Sequence, residues 1–205
     1  MKNILVPIGT SPSSAKTLQY AVDFAKAFGA KVYVVQIYNV YTKAGTMIKI
    51  DHILERESKA FLDRHVASID KKGVEVLTRT FKGKLVHTIA QVCNALDVDL
   101  IILEPRTNSI KDEVYLGKTS GKIIKQTQIP ALIVPEGYVY KPIVKVLIAL
   151  KSAIIKKENA LKPLLAIKEQ FKAVVNMLLV KTAYHTKADF ELNKAITSII
   201  NSKTI

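Results

Sequence analysis

The sequence has few of the features that mark secreted or membrane proteins. It contains one cysteine, Cys93, so an internal disulfide is excluded, and its helical spacing with Ile89, Ala90 and Leu96 predicts a buried small hydrophobic side chain. No stretch approaches the run of about 18 apolar residues that a membrane span needs. Residues 1–7 lead directly into a predicted strand and lack the layout of a signal peptide. We therefore expect a cytoplasmic protein with no membrane association.

Signatures of metal binding and covalent catalysis are also missing from the sequence. A zinc site needs three or four convergent ligands, and no such spacing connects the histidines at His52, His65, His87 and His185. No nucleophile elbow of the form G-x-S-x-G occurs. Asp97 and Asp99 precede a strand at the end opposite the expected ligand site, which is typical of turn residues. The sequence predicts a protein that is not an enzyme, with no catalytic residues and no metal.

Acidic residues are outnumbered, with 17 against 31 lysines and arginines and a net charge of +14. Such an excess raises nucleic acid or an anionic surface as a partner. The basic residues are spread along the chain, however, without an aromatic-interleaved basic run or a recognition motif. A solvated basic surface is the favoured interpretation, and nucleic-acid association remains the second alternative function.

What the sequence does contain is a regular alternation of strand and helix patterns. The predicted strands are residues 3–8, 31–37, 74–81, 100–103 and 131–134, and the predicted helices begin near residues 14, 47, 85 and 117. This order suits crossover connections and a parallel sheet. We predict an α/β fold with an open parallel five-stranded sheet and helices on both faces, as in Rossmann-like proteins.

The pattern then begins again in residues 139–205. A strand at 143–150, a helix at 158–171, a strand at 173–180 and a helix at 187–200 form a weak second copy. This copy would give a sheet two strands wide, which is too small to bury a core alone. We predict one domain over residues 1–138 and a partial second β-α-β-α repeat over residues 139–205.

The most informative stretch lies between the buried strand 100–103 and the strand 131–134. Open α/β folds bind ligands at the carboxyl ends of their strands, and a helix N-terminus there favours anions. Gly117, Lys118, Thr119 and Ser120 look like the end of a P-loop. The first glycine of that motif would fall on Asp112, however, whose carboxylate would face the phosphates. We therefore reject a true P-loop.

At this point the chain resembles the universal stress protein family. The similarity is carried by residues 3–7 with the small-residue turn and helix that follow, by Gly83 to Asn94 with DVDLIILE, and by LGKTSGKIIKQTQIPALIVP. It covers residues 1–138 well and residues 142–200 as half of a second copy, as in a tandem member. The resemblance implies an adenine nucleotide alpha hydrolase-like sheet in the strand order 3-2-1-4-5.

Nucleotide-binding members of that family carry G-x2-G-x9-G-[ST] after the fourth strand and an aspartate in the turn after the first. Aligned on Gly117, the motif places Glu104 and Thr107 at the earlier glycines and Lys118 at the serine or threonine position. The turn aspartate falls on Gly9. Glu104 would bring bulk and negative charge where backbone should approach a phosphate.

We therefore expect a degenerate nucleotide pocket and no cofactor. The alternative is an ATP-binding regulatory module that uses Lys118, Thr119 and the helix N-terminus at Gly117. The resemblance also implies a role in the stress response through protein association. In the family the last strand commonly pairs with a counterpart, and here its residues are Ala131, Leu132, Ile133 and Val134. The second copy lacks such a strand, so we expect a homodimer through this apolar edge, or a pseudo-dimer with a second repeat.

Overall fold

A computed structural model describes residues 1–9, 13–39, 47–105, 118–150, 158–179 and 203–204. The chain divides into two compact units, Met1–Tyr140 and Lys141–Ile205. The first unit contains the strands β1 (Asn3–Pro7), β2 (Lys31–Tyr38), β3 (Val76–Lys82), β4 (Leu100–Leu103) and β5 (Ala131–Ile133). Its helices are α1 (Ser14–Phe28), α2 (Met47–Ala67), α3 (Leu85–Ala95) and α4 (Lys118–Thr127). In these ranges no helix is both long enough and apolar enough to cross a membrane.

The five strands of the first unit form one parallel sheet in the order β3-β2-β1-β4-β5. Leu5 of β1 lies in register with Tyr33 of β2 on one side and with Ile101 of β4 on the other. The predicted order and the predicted parallel arrangement are both confirmed. Because β1 and β4 stand at the centre, their side chains are covered on both faces of the sheet, and all four residues of β4 are buried.

The helices cover the two faces of this sheet in pairs. One layer packs Ile89, Val92 and Cys93 of α3 and Ile123 of α4 against alternate residues of the central strands, Leu5, Val35, Ile101 and Leu103. The opposite alternation places Ile4, Val6, Val34 and Ile102 on the other face, where α1 and α2 pack. Helix α1 buries Leu18, Ala21, Val22, Phe24 and Ala25 there. The predicted burial of Cys93 is confirmed.

The amino-terminal edge of the sheet is held by Asp99, which precedes β4. Its Oδ2 accepts hydrogen bonds from the backbone N–H groups of Lys2, at 2.6 Å, and Asn3, at 3.0 Å. The Asn3 side chain donates in turn to the carbonyl of Leu96, at 3.0 Å. These contacts join the start of β1 to the turn before β4, at the end of the sheet opposite the strands' carboxyl termini. Asp99 therefore has a structural role there.

In the first unit, two predicted element boundaries differ from the structure by two residues or more. The predicted helix 47–70 ends at Ala67, where the backbone N–H of Ser68 is shared between the carbonyls of Arg64 and His65 and the Ser68 hydroxyl donates to the carbonyl of His65. The Gln19 side chain of α1 then pairs with the backbone of Asp70, which holds the chain away from the helix axis. Strand β3 begins at Val76 instead of residue 74.

The second unit contains β6 (Lys145–Leu150), a 3-10 turn (Glu158–Leu161), α5 (Lys162–Phe171), β7 (Val174–Leu179) and β8 (Lys203–Thr204). The strands form a parallel sheet in the order β6-β7-β8. Val175 and Met177 are buried against Leu161, Leu164 and Leu165. The expectation of a sheet only two strands wide is wrong, because Lys203–Thr204 adds a third strand beside β7. A two-residue strand is too short to give a periodic signal. The predicted helix 187–200 lies outside the described residues.

Gly83, between β3 and α3, offers a test of the local packing. Its φ is +150°, and an added Cβ would lie 2.5 Å from Thr88 Oγ1. We predict that Gly83→Ala lowers the free energy of unfolding by about 2 kcal/mol or more, since it adds a clash to a strained backbone. Urea unfolding measures the loss.

Gly73→Ala is the matched control. Gly73 also has a positive φ, +80°, but no atom of the described residues lies within 4 Å of the place that an added Cβ would take. That variant should lose about 1 kcal/mol from backbone strain alone. Equal losses at the two glycines would show that the Thr88 contact does not restrict the site.

Candidate functional site

A cleft opens where the carboxyl ends of β1, β2 and β4 meet the N-terminal turns of α1, α3 and α4. Its volume is about 230 Å³. The described residues that line it are Pro7, Ile8, Gly9, Ser14, Thr17, Val35, Gln36, Ile37, Leu85, Leu103, Glu104, Thr119, Ser120 and Ile123. Open parallel sheets place ligand sites at this position, because all strand ends point to one edge. The cleft is the candidate functional site.

Glu104, directly after β4, places a carboxylate in this cleft. Its Oε1 accepts a hydrogen bond from the hydroxyl of Ser13, the residue that precedes α1. Ser13 occupies the N-cap position, yet its side chain makes no capping bond to its own helix. The hydroxyl is instead committed to a carboxylate 91 residues away in sequence. A negative charge therefore already lies beside the N-terminus of α1, where the helix dipole favours an anion.

Two further hydroxyls in the cleft donate to backbone carbonyls. Ser14 Oγ donates to the carbonyl of Gly9, at 3.0 Å, and Ser120 Oγ donates to the carbonyl of Glu104, at 3.3 Å. Both serines are buried. These bonds fix the turn after β1 onto α1 and the end of β4 onto α4. Because both hydroxyl protons are used in these bonds, each serine can act towards a ligand only as a hydrogen-bond acceptor, through its oxygen lone pairs.

Gln36, near the end of β2, contributes a second acceptor. Its Oε1 is buried and has no hydrogen-bond partner among the described residues. A buried acceptor without a donor costs about 1–3 kcal/mol, so such an atom in a cleft wall marks a place where a donor is wanted. Most of the remaining wall is aliphatic, from Ile8, Val35, Ile37, Leu85, Leu103 and Ile123.

The described part of the cleft lining has a charge opposite to that of the chain. Among the described residues that line it, Glu104 is the only ionisable side chain, whereas the whole sequence carries +14. The described lining thus carries a single negative charge. The basic surface does not extend into this part of the wall.

The predicted site residues fall into two groups. Gly9, Glu104 and Thr119 lie together in the cleft lining, as the strand-end argument implies. Lys118 begins α4, but its side chain is outside the described part of the structure, as are Thr107 and Gly117. The structure therefore brings together three of the six predicted positions and leaves the other three as predictions.

Sequence reasoning does not single out Ser13, Ser14, Gln36 or Ser120 as site residues. The serine pattern indicates a helix start, where Ser13 and Ser14 indeed lie, but it names no partner across the fold. Gln36 carries a usable signal, since it is the one polar residue in the strand pattern KVYVVQI apart from its first lysine. A polar side chain near the carboxyl end of a central strand is typical of a site residue.

Outside the cleft, the described residues show neither a metal-binding cluster nor an activated thiol. No group of three or more histidine, cysteine or acidic side chains in those ranges is placed to hold a metal ion. Burial raises the pKa of the Cys93 thiol to about 11, so this thiol is protonated at neutral pH and is a poor nucleophile.

The chain is similar in sequence to proteins of a known family. The family described as the universal stress protein family matches residues 1–135. A universal stress protein of Methanocaldococcus jannaschii is 24% identical over 138 residues, which are 65% of this chain and 81% of that protein.

Solved structures show the same fold. Universal stress protein UspA from Lactobacillus plantarum is 20% identical and covers 65% of this chain and 97% of its own, with a TM-score of 0.54. A universal stress protein from Archaeoglobus fulgidus is 18% identical and covers 98% of this chain and 76% of its own, with a TM-score of 0.73. The family match spans well over half of the sequence, on a five-stranded sheet of the expected order. The chain belongs to the universal stress protein family.

Proposed function

We propose that this chain is a non-catalytic universal stress protein that acts in the cytoplasmic stress response through protein association, and that its cleft does not hold ATP. The observation that carries the proposal is the carboxylate of Glu104, bonded to Ser13 inside the cleft. In the resemblance, this residue stands where nucleotide-binding members have the first glycine of their phosphate motif.

Electrostatics favours this interpretation. Two like charges 4 Å apart repel by about 1 kcal/mol in water and by about 4 kcal/mol near a protein surface. A triphosphate entering beside Glu104 would meet this repulsion several times. The N-terminus of α1, which would otherwise attract a phosphate, already has the Glu104 carboxylate beside it through Ser13.

Two buried serine hydroxyls of the cleft, those of Ser14 and Ser120, also support a non-catalytic role. A serine becomes a nucleophile when a neighbouring base accepts its proton. Ser14 and Ser120 donate to backbone carbonyls, which are not bases that could take that proton. Their geometry is that of structural hydrogen bonds.

Association is supported by the position of β5. This strand ends the sheet order, and its register with β4 directs the N–H groups of Leu132 and Val134 inward and those of Ala131 and Ile133 outward. An outward row of N–H and carbonyl groups can pair with a strand of a second molecule. We assign this edge, Ala131 to Val134, as the homodimer contact.

Titration calorimetry with Mg-ATP tests the cleft. We predict that the wild-type protein shows no dissociation constant in the low micromolar range, which corresponds to roughly −8 kcal/mol. Glu104→Gln, which keeps the size and removes the charge, should bind Mg-ATP more tightly than the wild type, by about tenfold for about 1.4 kcal/mol of relieved repulsion.

Glu136→Gln is the matched control, since Glu136 is exposed and outside the cleft lining. It should leave ATP affinity unchanged. Low micromolar binding by the wild-type protein would contradict the proposal and favour the alternative, a nucleotide-binding module that uses Lys118. In that case Lys118→Ala should weaken the binding.

Sedimentation analysis over a range of protein concentrations tests the edge. We predict a dimer for the wild type and a monomer for Ile133→Lys, because a charged side chain on an edge strand disfavours pairing with a second strand. Ile133 also packs against the core below the sheet, so the variant should lose stability as well.

Phe81→Lys separates the two effects. Phe81 lies on β3, the opposite edge strand, and is half-buried against the same core cluster as Ile133. It should lose stability and keep the dimer. A wild-type protein that stays monomeric at high concentration would refute the contact, and so would equal loss of the dimer in both variants.

A further inference from the structure

Glu104 and Gln36 both line the same cavity. Glu104 brings the only ionisable group of the described lining, and the Oε1 of Gln36 is buried there without a donor among the described residues. The Glu104 carboxylate accepts a hydrogen bond from Ser13 and has lone pairs left for further donors, whereas the Gln36 oxygen has no donor among the described residues.

Three serine hydroxyls at the cleft already donate to acceptors of the protein. The hydroxyl protons of Ser14 and Ser120 point to the carbonyls of Gly9 and Glu104, and Ser13 donates to the Glu104 carboxylate. What these groups offer to a ligand is therefore lone pairs. The chemistry that fits such a wall is a ligand with several N–H or O–H donors and no negative charge.

We infer that the cleft binds a small primary amine with an apolar body, its ammonium group donating to Glu104 and Gln36 and its hydrocarbon lying against the aliphatic wall. This inference rests on the proposed function, since it requires that no nucleotide fills the cleft. Burial of an ion in such a site is favourable only when it is paired and hydrogen-bonded, and Glu104 supplies the opposite charge.

The size and wall of the cavity restrict the ligand further. A volume of about 230 Å³ suits a small ligand. Ile8, Leu103 and Ile123 provide apolar surface between the polar groups, so each methylene of the ligand that enters gains transfer free energy. The N-terminus of α1 offsets part of the Glu104 charge, so the affinity of a simple probe should be modest.

A matched series of probes tests the charge preference. Hexylamine, hexanol and hexanoate share one hydrocarbon chain and differ in the head group, which is cationic, neutral or anionic at pH 7. Ligand-observed NMR on the full-length protein should detect hexylamine in the millimolar range or tighter. Hexanol should bind at least about fivefold more weakly, and hexanoate should not bind.

Variants assign the binding to the cleft. Glu104→Gln should remove the preference of hexylamine over hexanol, and Gln36→Leu should weaken hexylamine with little effect on hexanol. Glu136→Gln, outside the cleft, should change neither affinity. Circular dichroism confirms that each variant remains folded. Should Gln36→Leu unfold the protein, Gln36→Glu provides the second variant, with hexylamine binding strengthened by the added charge.

Each outcome decides the inference. Hexanoate binding as well as hexylamine, or unchanged amine affinity in Glu104→Gln, would overturn it. A protein that binds neither hexylamine nor Mg-ATP would overturn this inference and leave the proposed function standing. A protein that binds Mg-ATP in the low micromolar range would overturn the proposed function first.

Discussion

The first unit depends on one constraint, the burial of β1 and β4 on both faces of a parallel sheet. A strand covered on two sides must be apolar throughout, and β4 is Leu-Ile-Ile-Leu with every residue buried. Such a sheet requires helices on both faces, and the helical crossover connections between parallel strands place them there. The same connections bring the carboxyl ends of β1, β2 and β4 to one edge with the N-terminal turns of α1, α3 and α4. The cleft is thus a consequence of how the core is buried.

What this chain places in that cleft sets it apart from an anion site. Helix N-termini that converge on one cavity attract negative charge, and here the protein supplies that charge from Glu104. The Ser13 side chain makes no capping bond to its own helix and donates a hydrogen bond to the Glu104 carboxylate. A chain with a net charge of +14 therefore carries an acidic group in the cavity at the carboxyl ends of its strands.

The second unit follows the same rules with fewer elements. Its parallel strands β6 and β7 pack one face on α5 and the preceding turn, where Val175 and Met177 are buried. A third strand, Lys203–Thr204, pairs beside β7 in the order that the first unit uses for its own first three strands. The repeat of strand and helix spacing in the sequence thus corresponds to a repeat of parallel pairing.

The sequence alone determined the elements of the first unit, because periods of two and 3.6 residues report which side chains must face a core. It also showed that Glu104 and Gly9 depart from the nucleotide motif of the family, because the spacing of that motif along the sequence assigns a residue to each position. Strand order required the family resemblance, because alternation indicates parallel strands without saying which are neighbours.

Only the tertiary structure revealed the Ser13–Glu104 bond, the orphan oxygen of Gln36 and the short strand at Lys203–Thr204. Ser13 and Glu104 are 91 residues apart, and no local pattern encodes a contact of that range. A side chain's hydrogen-bond partner is set by the packing of whole elements, and that packing is decided when the sheet closes over its core.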